Sequence, residues 1–338
     1  MAEKRHNARR QKIVRDWCEK RPDWPTLTLA KKIYADHPKL FTTLHSARLA
    51  IGYVRGNMGE RNRRKAIDKS LHRPNGSQSD RTPLPESRAV PWEPYFLETR
   101  RTLVLSDPHI PFHNSVALEA ALAYGDAFKP DTILVNGDAQ DFEALSRFDR
   151  SADGPTTDDE LAAGRRFWTH LRERFGWHVK LVYKLGNHDE RWELYLWRKA
   201  PELAKTLTDV WEHFIGTDAL DITVVKDQRP VMCGKLPILH GHELQKGIAA
   251  PVNPARGAFL KTHHTILVGH SHQTSGHADT NLFHEETFCW STGCLCDLTP
   301  RYARVNRWNH GFATVEVEKD GSFDVSNLRI KNGRVRKS

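Results

Sequence analysis

The sequence predicts an α/β protein built around a parallel sheet and preceded by a small all-α module. Three observations lead there. Between residues 100 and 183 short apolar runs alternate with amphipathic helical stretches, the rhythm of βαβ units. After residue 220 the apolar runs crowd together, which predicts a second, more antiparallel sheet packed on the first. The opening fifth of the chain reads as short helices. A length of 338 residues suits about two domains at roughly 150 residues each. Hydrophobic residues at 38% exclude a wholly disordered chain, and charged residues at 28% exclude a membrane bundle.

The first helix is expected over residues 9–20, with Ile13 and Trp17 four apart. Thr28 is placed to cap a second helix that carries Leu29 and Ile33 and stops at Pro38. Leu44, Ala47, Ile51 and Val54 mark a third, with Gly56 as its C-terminal cap. Arg48 and Arg55 are seven apart on it and share a face, and a basic run follows at 61–65. Residues 1–73 hold 19 Lys and Arg against 7 Asp and Glu, a charge of +12, whereas the rest holds 32 against 35, or −3. So uneven a charge favours contact with a polyanion. The expected partner is nucleic acid, DNA rather than RNA, gripped by a helix-turn-helix-like module with Arg48 and Arg55 as contacts. The plain alternative is a solvated arm. Residues 74–98, with Pro74, Pro83, Pro85, Pro91 and Pro94, read as a semi-rigid linker, which leaves 1–73 and 99–338 as the two domains.

Within 99–338 strands are expected at 102–106, 132–136 and 179–183, with helices at 115–127 and 158–175 between them. The second helix opens on Asp158, Asp159 and Glu160, which suit its positive end. Later strands are expected at 222–225, 236–239, 265–268, 282–290, 312–318 and 323–330. Five of these runs end in a polar cluster: Asp107-Pro-His109; Gly137-Asp138-Ala-Gln-Asp141; Gly186-Asn187-His188-Asp189; His240-Gly241-His242; and Gly269-His270-Ser-His272. Open α/β folds put their ligands at the carboxyl ends of strands, so these loops would converge. Asp and His suit manganese, iron or zinc. In the pairs Asp107/His109 and His270/His272, side chains two apart point to one side of extended backbone. The donors are too many for one ion, and two ions about 4 Å apart sharing a carboxylate account for them.

In this order the five clusters resemble the motif series of the calcineurin-like metallophosphoesterases, over residues 100–330. The resemblance implies a four-layer α/β/β/α sandwich with a binuclear site at its top. It implies Asp107, His109, Asp138 and His272 as ligands of one metal. Asp138 as the bridge, with Asn187, His240 and His270, would hold the second. His188 and Asp141 match the family's catalytic pair. The cofactor expected is two divalent transition-metal ions, manganese first, with iron, zinc and nickel as alternatives. The second motif lacks the Arg-Gly of the protein Ser/Thr phosphatases, reading Asp141-Phe-Glu143 instead, which argues against that branch. The pattern is closer to bacterial and phage phosphodiesterases and repair nucleases, and more narrowly to phage-encoded members with a helical N-terminal extension.

The expected reaction is phosphodiester hydrolysis in nucleic acid by attack of a hydroxide bridging the metals, with His188 as general acid oriented by Asp141. A phosphomonoesterase or small-nucleotide phosphodiesterase, merely localised by its basic module, is the second reading. A nucleic-acid-binding protein with a vestigial site is the third. Arg191 and His113 are candidate phosphate contacts, and the loop 142–157 a candidate substrate-selecting lip. His242 is expected behind the ligands rather than among them. The aromatic and basic stretch 290–308 is read as covering a sheet edge in preference to stacking on bases. Cys294 and Cys296 are read as reduced packing residues. Five cysteines, with no secretory signal or membrane span, point to a reducing cytoplasm of a bacterial or phage-infected cell, and to no membrane partner.

Overall fold

The computed structural model describes residues 2–59, 71, 84–148, 153–244 and 252–337. The chain forms two compact units, Met1–Ala89 and Val90–Ser338.

The first unit packs α1 (Ala2–Lys20), α2 (Thr26–Asp36) and α3 (Leu44–Val54) around Val14, Cys18, Leu29, Ile33, Phe41, Ala47 and Ile51. The seam of α1 is therefore Val14 and Cys18, with Ile13 and Trp17 partly buried beside it. Helix α2 begins behind Pro25, two residues before the expected cap at Thr28. Thr43 caps α3, its hydroxyl accepting the Ser46 amide at 3.1 Å, and Gly56 follows in a left-handed conformation. The expectation for Arg55 fails. Its guanidinium is buried and donates to the carbonyls of Trp24 (2.8 Å), Pro22 (3.2 Å) and Arg21 (3.3 Å) and to the Thr26 hydroxyl (3.3 Å). It stands at the C-terminal end of α3 and reaches carbonyls of the turn that follows α1. Arg55 thus ties the α1–α2 turn and is closed to a ligand, while Arg48 stays exposed. The basic run 61–65 lies outside the described residues.

The second unit starts inside the stretch read as linker, because Tyr95–Leu97 form strand β1. Among the described residues it contains two sheets. The larger begins with β2 (Arg101–Leu105), β3 (Thr132–Asn136), β4 (Lys180–Lys184) and β5 (Ile222–Val225), all parallel neighbours. The smaller gathers β1, β6 (Val231–Cys233), β7 (Leu236–Leu239), β8 (Ile266–Val268), β9 (Ser275–Thr280) and β10 (Glu286–Ser291), in the order β1-β6-β7-β8-β10-β9. Strands β11 (His310–Val317), β12 (Phe323–Lys331) and β13 (Arg334–Lys337) extend the larger sheet antiparallel beyond β2. This corrects the expected arrangement. The antiparallel tail completes the first sheet, and the second sheet is mixed, with parallel pairs at β1–β6, β7–β8 and β8–β10. The run expected as one strand at 282–290 is the turn after β9 followed by β10, which pairs back on β9.

Helices α4 (Ser115–Phe128) and α5 (Thr157–Phe175) cover one face of the larger sheet. Thr156 caps α5 in a reciprocal box with Asp159, a start one residue ahead of the acidic run. Three short helices follow β4: α6 (Arg191–Lys199), α7 (Pro201–Leu207) and α8 (Val210–Ile215). Helix α9 (Pro254–Thr262) covers the smaller sheet through Ala255 and Ala258. The strand residues alternate accordingly. Leu103, Leu105, Ile133, Val135, Leu181 and Tyr183 face the helices, while Val104, Leu134 and Val182 face the other sheet. Both sides of the central strands are dry, which is why they read as unbroken apolar runs. The result is a four-layer α/β/β/α sandwich. No helix among the described residues is long and apolar enough to cross a membrane.

Candidate metal centre

The five polar clusters leave the carboxyl ends of β2, β3, β4, β7 and β8, three strands of one sheet and two of the other, and meet along one rim. Asp107, His109, Asp138, His240 and His272 are buried there, and His270 opens toward solvent. His109 Nε2 lies 3.3 Å from His272 Nε2 and 3.6 Å from Asp138 Oδ2. His272 Nε2 is also 3.1 Å from Asp107 Oδ1. On the other side of Asp138, its Oδ2 is 3.3 Å from His240 Nε2, and donor atoms of Asp138, His240 and His270 lie within 4.8 Å of one another. Asp138 faces both groups.

These donors suit divalent cations. Two basic imidazole nitrogens aim at one point, an arrangement that a shared cation or proton must hold together. His240 Nε2 and the side-chain oxygen of Asn187 are buried without a hydrogen-bond partner among the described residues. A Cβ on Gly137 would stand 2.1 Å from the His240 ring, and one on Gly186 2.3 Å from Asp138 Oδ1, so only glycine lets these loops close. Asp107, His109, Asp138, His270 and His272 all hold left-handed backbone, φ between 50° and 64°. Such residues cost about 1 kcal/mol or more each and persist where the surroundings over-determine them.

Electrostatics follow the same pairing. Burial alone would raise the Asp107 and Asp138 carboxyls. The imidazoles of His272 and His240 outweigh it at Asp107, as do those of His240 and His188 at Asp138, and both are held below the usual range. Against the effect of burial, Asp138 and Asp107 raise His240 to about 10, and Asp107 raises His272 to about 9. Burial and the neighbouring His188 lower His109.

The pair His188 and Asp141 stands against this rim. His188 Nδ1 is 2.9 Å from Asp141 Oδ1, and the same oxygen accepts from His109 Nδ1 at 2.7 Å. One carboxylate thereby orients two imidazoles. The His188 amide donates to Asp138 Oδ1 at 2.8 Å. Arg191 donates to the Asp141 carbonyl at 2.8 Å, and its Nη2 is 3.0 Å from His188 Nε2, which makes that nitrogen an acceptor. His242 sits outside the ligand groups, 3.3 Å from Glu190. His113 pairs through its backbone with Cys296 and does not line the cleft in front of His270. Of the loop 142–157, residues 145–148 line that cleft, and 149–152 lie outside the described residues.

Four residues support the site in ways that the sequence reading did not assign to them. Asp189 accepts from the amides of Gly186 (2.7 Å) and Gln140 (2.9 Å) and from the Tyr183 hydroxyl, which locks the second and third motifs together. Burial, then Asp138, raises its carboxyl to about 7. Glu243 receives the amides of His240 (3.2 Å) and Gly241 (2.6 Å) and pairs with buried Lys184 at 2.6 Å, fixing the fourth motif. Cys296 Sγ lies 3.8 Å from His272 Nδ1 and forms a third donor group with His109 and His272, so this thiol packs against a candidate ligand. Trp308 packs its ring 4.1 Å from that of His272, with Tyr302 beyond it. The stretch 290–308 therefore divides: Trp290 covers the smaller sheet against Phe288, and Trp308 borders the site.

Residues 100–302, more than half the chain, match the family described as calcineurin-like phosphoesterase. The Gene 54 protein of Mycobacterium phage L5 is 25% identical over 232 residues, which span 65% of this chain and 90% of that protein. Its counterpart in Mycobacterium phage D29 is 26% identical over 181 residues, 52% of this chain and 70% of the relative. Among solved structures, the E. coli phosphoesterase Yfce is 15% identical, with 68% of this chain and all of that one aligned at a TM-score of 0.31. With the family's span running from the first cluster past the last, the chain belongs to the calcineurin-like phosphoesterases and is a metal-dependent hydrolase of phosphoric esters.

Proposed function

We propose that this enzyme hydrolyses phosphodiester bonds in nucleic acid. The observation that carries the reading is the charge of +12 on residues 1–73, joined in one chain to a phosphoesterase unit that is otherwise slightly acidic. Asp107, His109, Asp138 and His272 would hold one cation, and Asp138, Asn187, His240 and His270 a second, with manganese our assignment. Bound there, two divalent cations supply a nucleophile from water at neutral pH and neutralise charge growing on the phosphoryl oxygens. The protein's own part is the proton. His188, its Nδ1 held by Asp141, would donate from Nε2 to the leaving oxygen. Arg191 now faces that nitrogen, so its guanidinium must turn onto the phosphate and Nε2 must take up a proton from solvent before the acid acts. That movement would pair the Arg191 charge with the substrate. DNA is our preferred substrate over RNA. None of the five cysteines is in a disulfide, which supports a reducing compartment.

A panel with manganese tests the reading: bis-p-nitrophenyl phosphate, p-nitrophenyl phosphate, single- and double-stranded DNA, RNA and cyclic nucleotides. Diesters and a nucleic acid should be cleaved, and chelator should stop the reaction. Hydrolysis confined to the monoester or to cyclic nucleotides would overturn it.

A further inference from the structure

The rim opens into a cleft of about 840 Å³ that begins at Asn187 and His270 and runs between α6, α9 and the segment 145–148. Four cations line it: Arg147, Arg191, Arg198 and Lys261. No Asp or Glu does so among the described residues. That is a strong bias in a region where residues 74–338 carry 32 Lys and Arg against 35 Asp and Glu. Arg198 and Lys261 are exposed, and neither is in an ion pair among the described residues. Between the cations the walls are apolar, with Leu145, Leu194 and Leu244, and Phe148 stands 66% exposed under the Arg147 guanidinium at 5.0 Å.

The order matters as much as the content. Arg191, Leu194 and Arg198 fall at i, i+3 and i+7 on α6, one face of the helix. The two arginines are roughly 10 Å apart along the axis at 1.5 Å per residue. The wall therefore alternates cation, apolar patch, cation, starting beside the proposed acid His188. An unpaired polynucleotide alternates phosphates with aromatic bases in the same way. A duplex hides its base faces and would leave the leucines and Phe148 in water.

We infer that this cleft is a binding track for single-stranded nucleic acid. Arg198, Lys261 and Arg147 would take the phosphates beside the scissile one, and Phe148 would stack on a base. The inference rests on the phosphodiesterase reading of the site.

The test uses the full chain with manganese, its Arg198→Ala, Lys261→Ala and Phe148→Ala variants, and two substrates: bis-p-nitrophenyl phosphate and an eight-residue oligothymidylate. In each variant the ratio of kcat/KM for the oligonucleotide to that for the small ester should fall roughly tenfold, through KM. Removing either cation should also flatten the salt dependence of oligonucleotide KM by about 0.7 in log–log slope, and removing Phe148 should not. A merely structural role would not divide the variants this way. An unchanged ratio in all three overturns the track, as does equal sensitivity of a duplex substrate. If the native protein cleaves neither substrate, the phosphodiesterase reading fails and the track with it.

Discussion

In the first unit Arg55 turns its guanidinium inward onto three backbone carbonyls, and Arg48, two turns earlier, stays in water. In the second unit Asp107, Asp138, Asp141 and Asp189 are all buried along one rim and interleaved with histidines. Arg55 apart, the first arrangement places charge at the surface, where it acts at a distance and is screened by salt. The second concentrates charge in a dry setting, where each group is tolerated only because a neighbour answers it. The difference teaches where a substitution should hurt: one charge lost from the rim exposes its partner, whereas one lost from the basic surface only lowers a sum.

The largest effect is expected on chemistry. His188→Asn should reduce the rate by roughly 100- to 10,000-fold. The loss should be least for nitrophenyl esters and greatest for nucleic acid, whose sugar oxygen is a poor leaving group. Rates across esters of rising leaving-group pKa check this, and a flat ratio with metal content unchanged would show that His188 is not the acid. Lys184→Met comes next. It leaves Glu243 buried without its cation and should lower unfolding stability by about 3–5 kcal/mol, measured by urea titration at pH 7. In the native protein Lys184, with nearby histidines, holds Glu243 at about 2 against the effect of burial, so the carboxyl is ionised when its cation is present.

Arg55→Ala should cost about 2–3 kcal/mol, since it removes the hydrogen bonds of a buried guanidinium that tie the α1–α2 turn, whereas Arg48→Ala should stay within about 0.5 kcal/mol. Equal losses would break the contrast drawn between the two arginines. The smallest effect is a pH dependence. Glu160 is fully buried, and burial raises its carboxyl to about 7 while it accepts the amides of Glu143 and Ala144. A raised acid favours folding while protonated, so its contribution is complete below about 4.5 and lost as pH rises through about 7. Native stability relative to Glu160→Gln should thus fall by about 2 kcal/mol between pH 5 and pH 8 in parallel denaturation curves.

The clusters that meet at the rim were legible because each follows an apolar strand and includes a residue type that strands avoid. Their supports were not. Lys184 and Glu243 meet across 59 positions of sequence, and Lys184 ends a strand where a lysine ordinarily marks solvent. Cys296 and Trp308 reach His272 from segments whose spacing carries no period. Strands β1 and β6, of three residues each, are too short to announce themselves, and β1 hid among the prolines of the expected linker. Arg55 was misplaced because helical spacing tells which side chains share a face, and a residue at a helix end can leave that face.

The left-handed backbone at Asp107, His109, Asp138, His270 and His272 bears on descent. At such positions glycine or asparagine would suit the chain better than aspartate or histidine. Local stability and chemistry therefore pull in opposite directions at each. In a lineage released from the demand for hydrolysis, these five positions should be among the first to drift, and toward glycine and asparagine, with the folded shell of the sandwich outlasting the loss. A relative carrying glycine there would be read as a fossil of the enzyme.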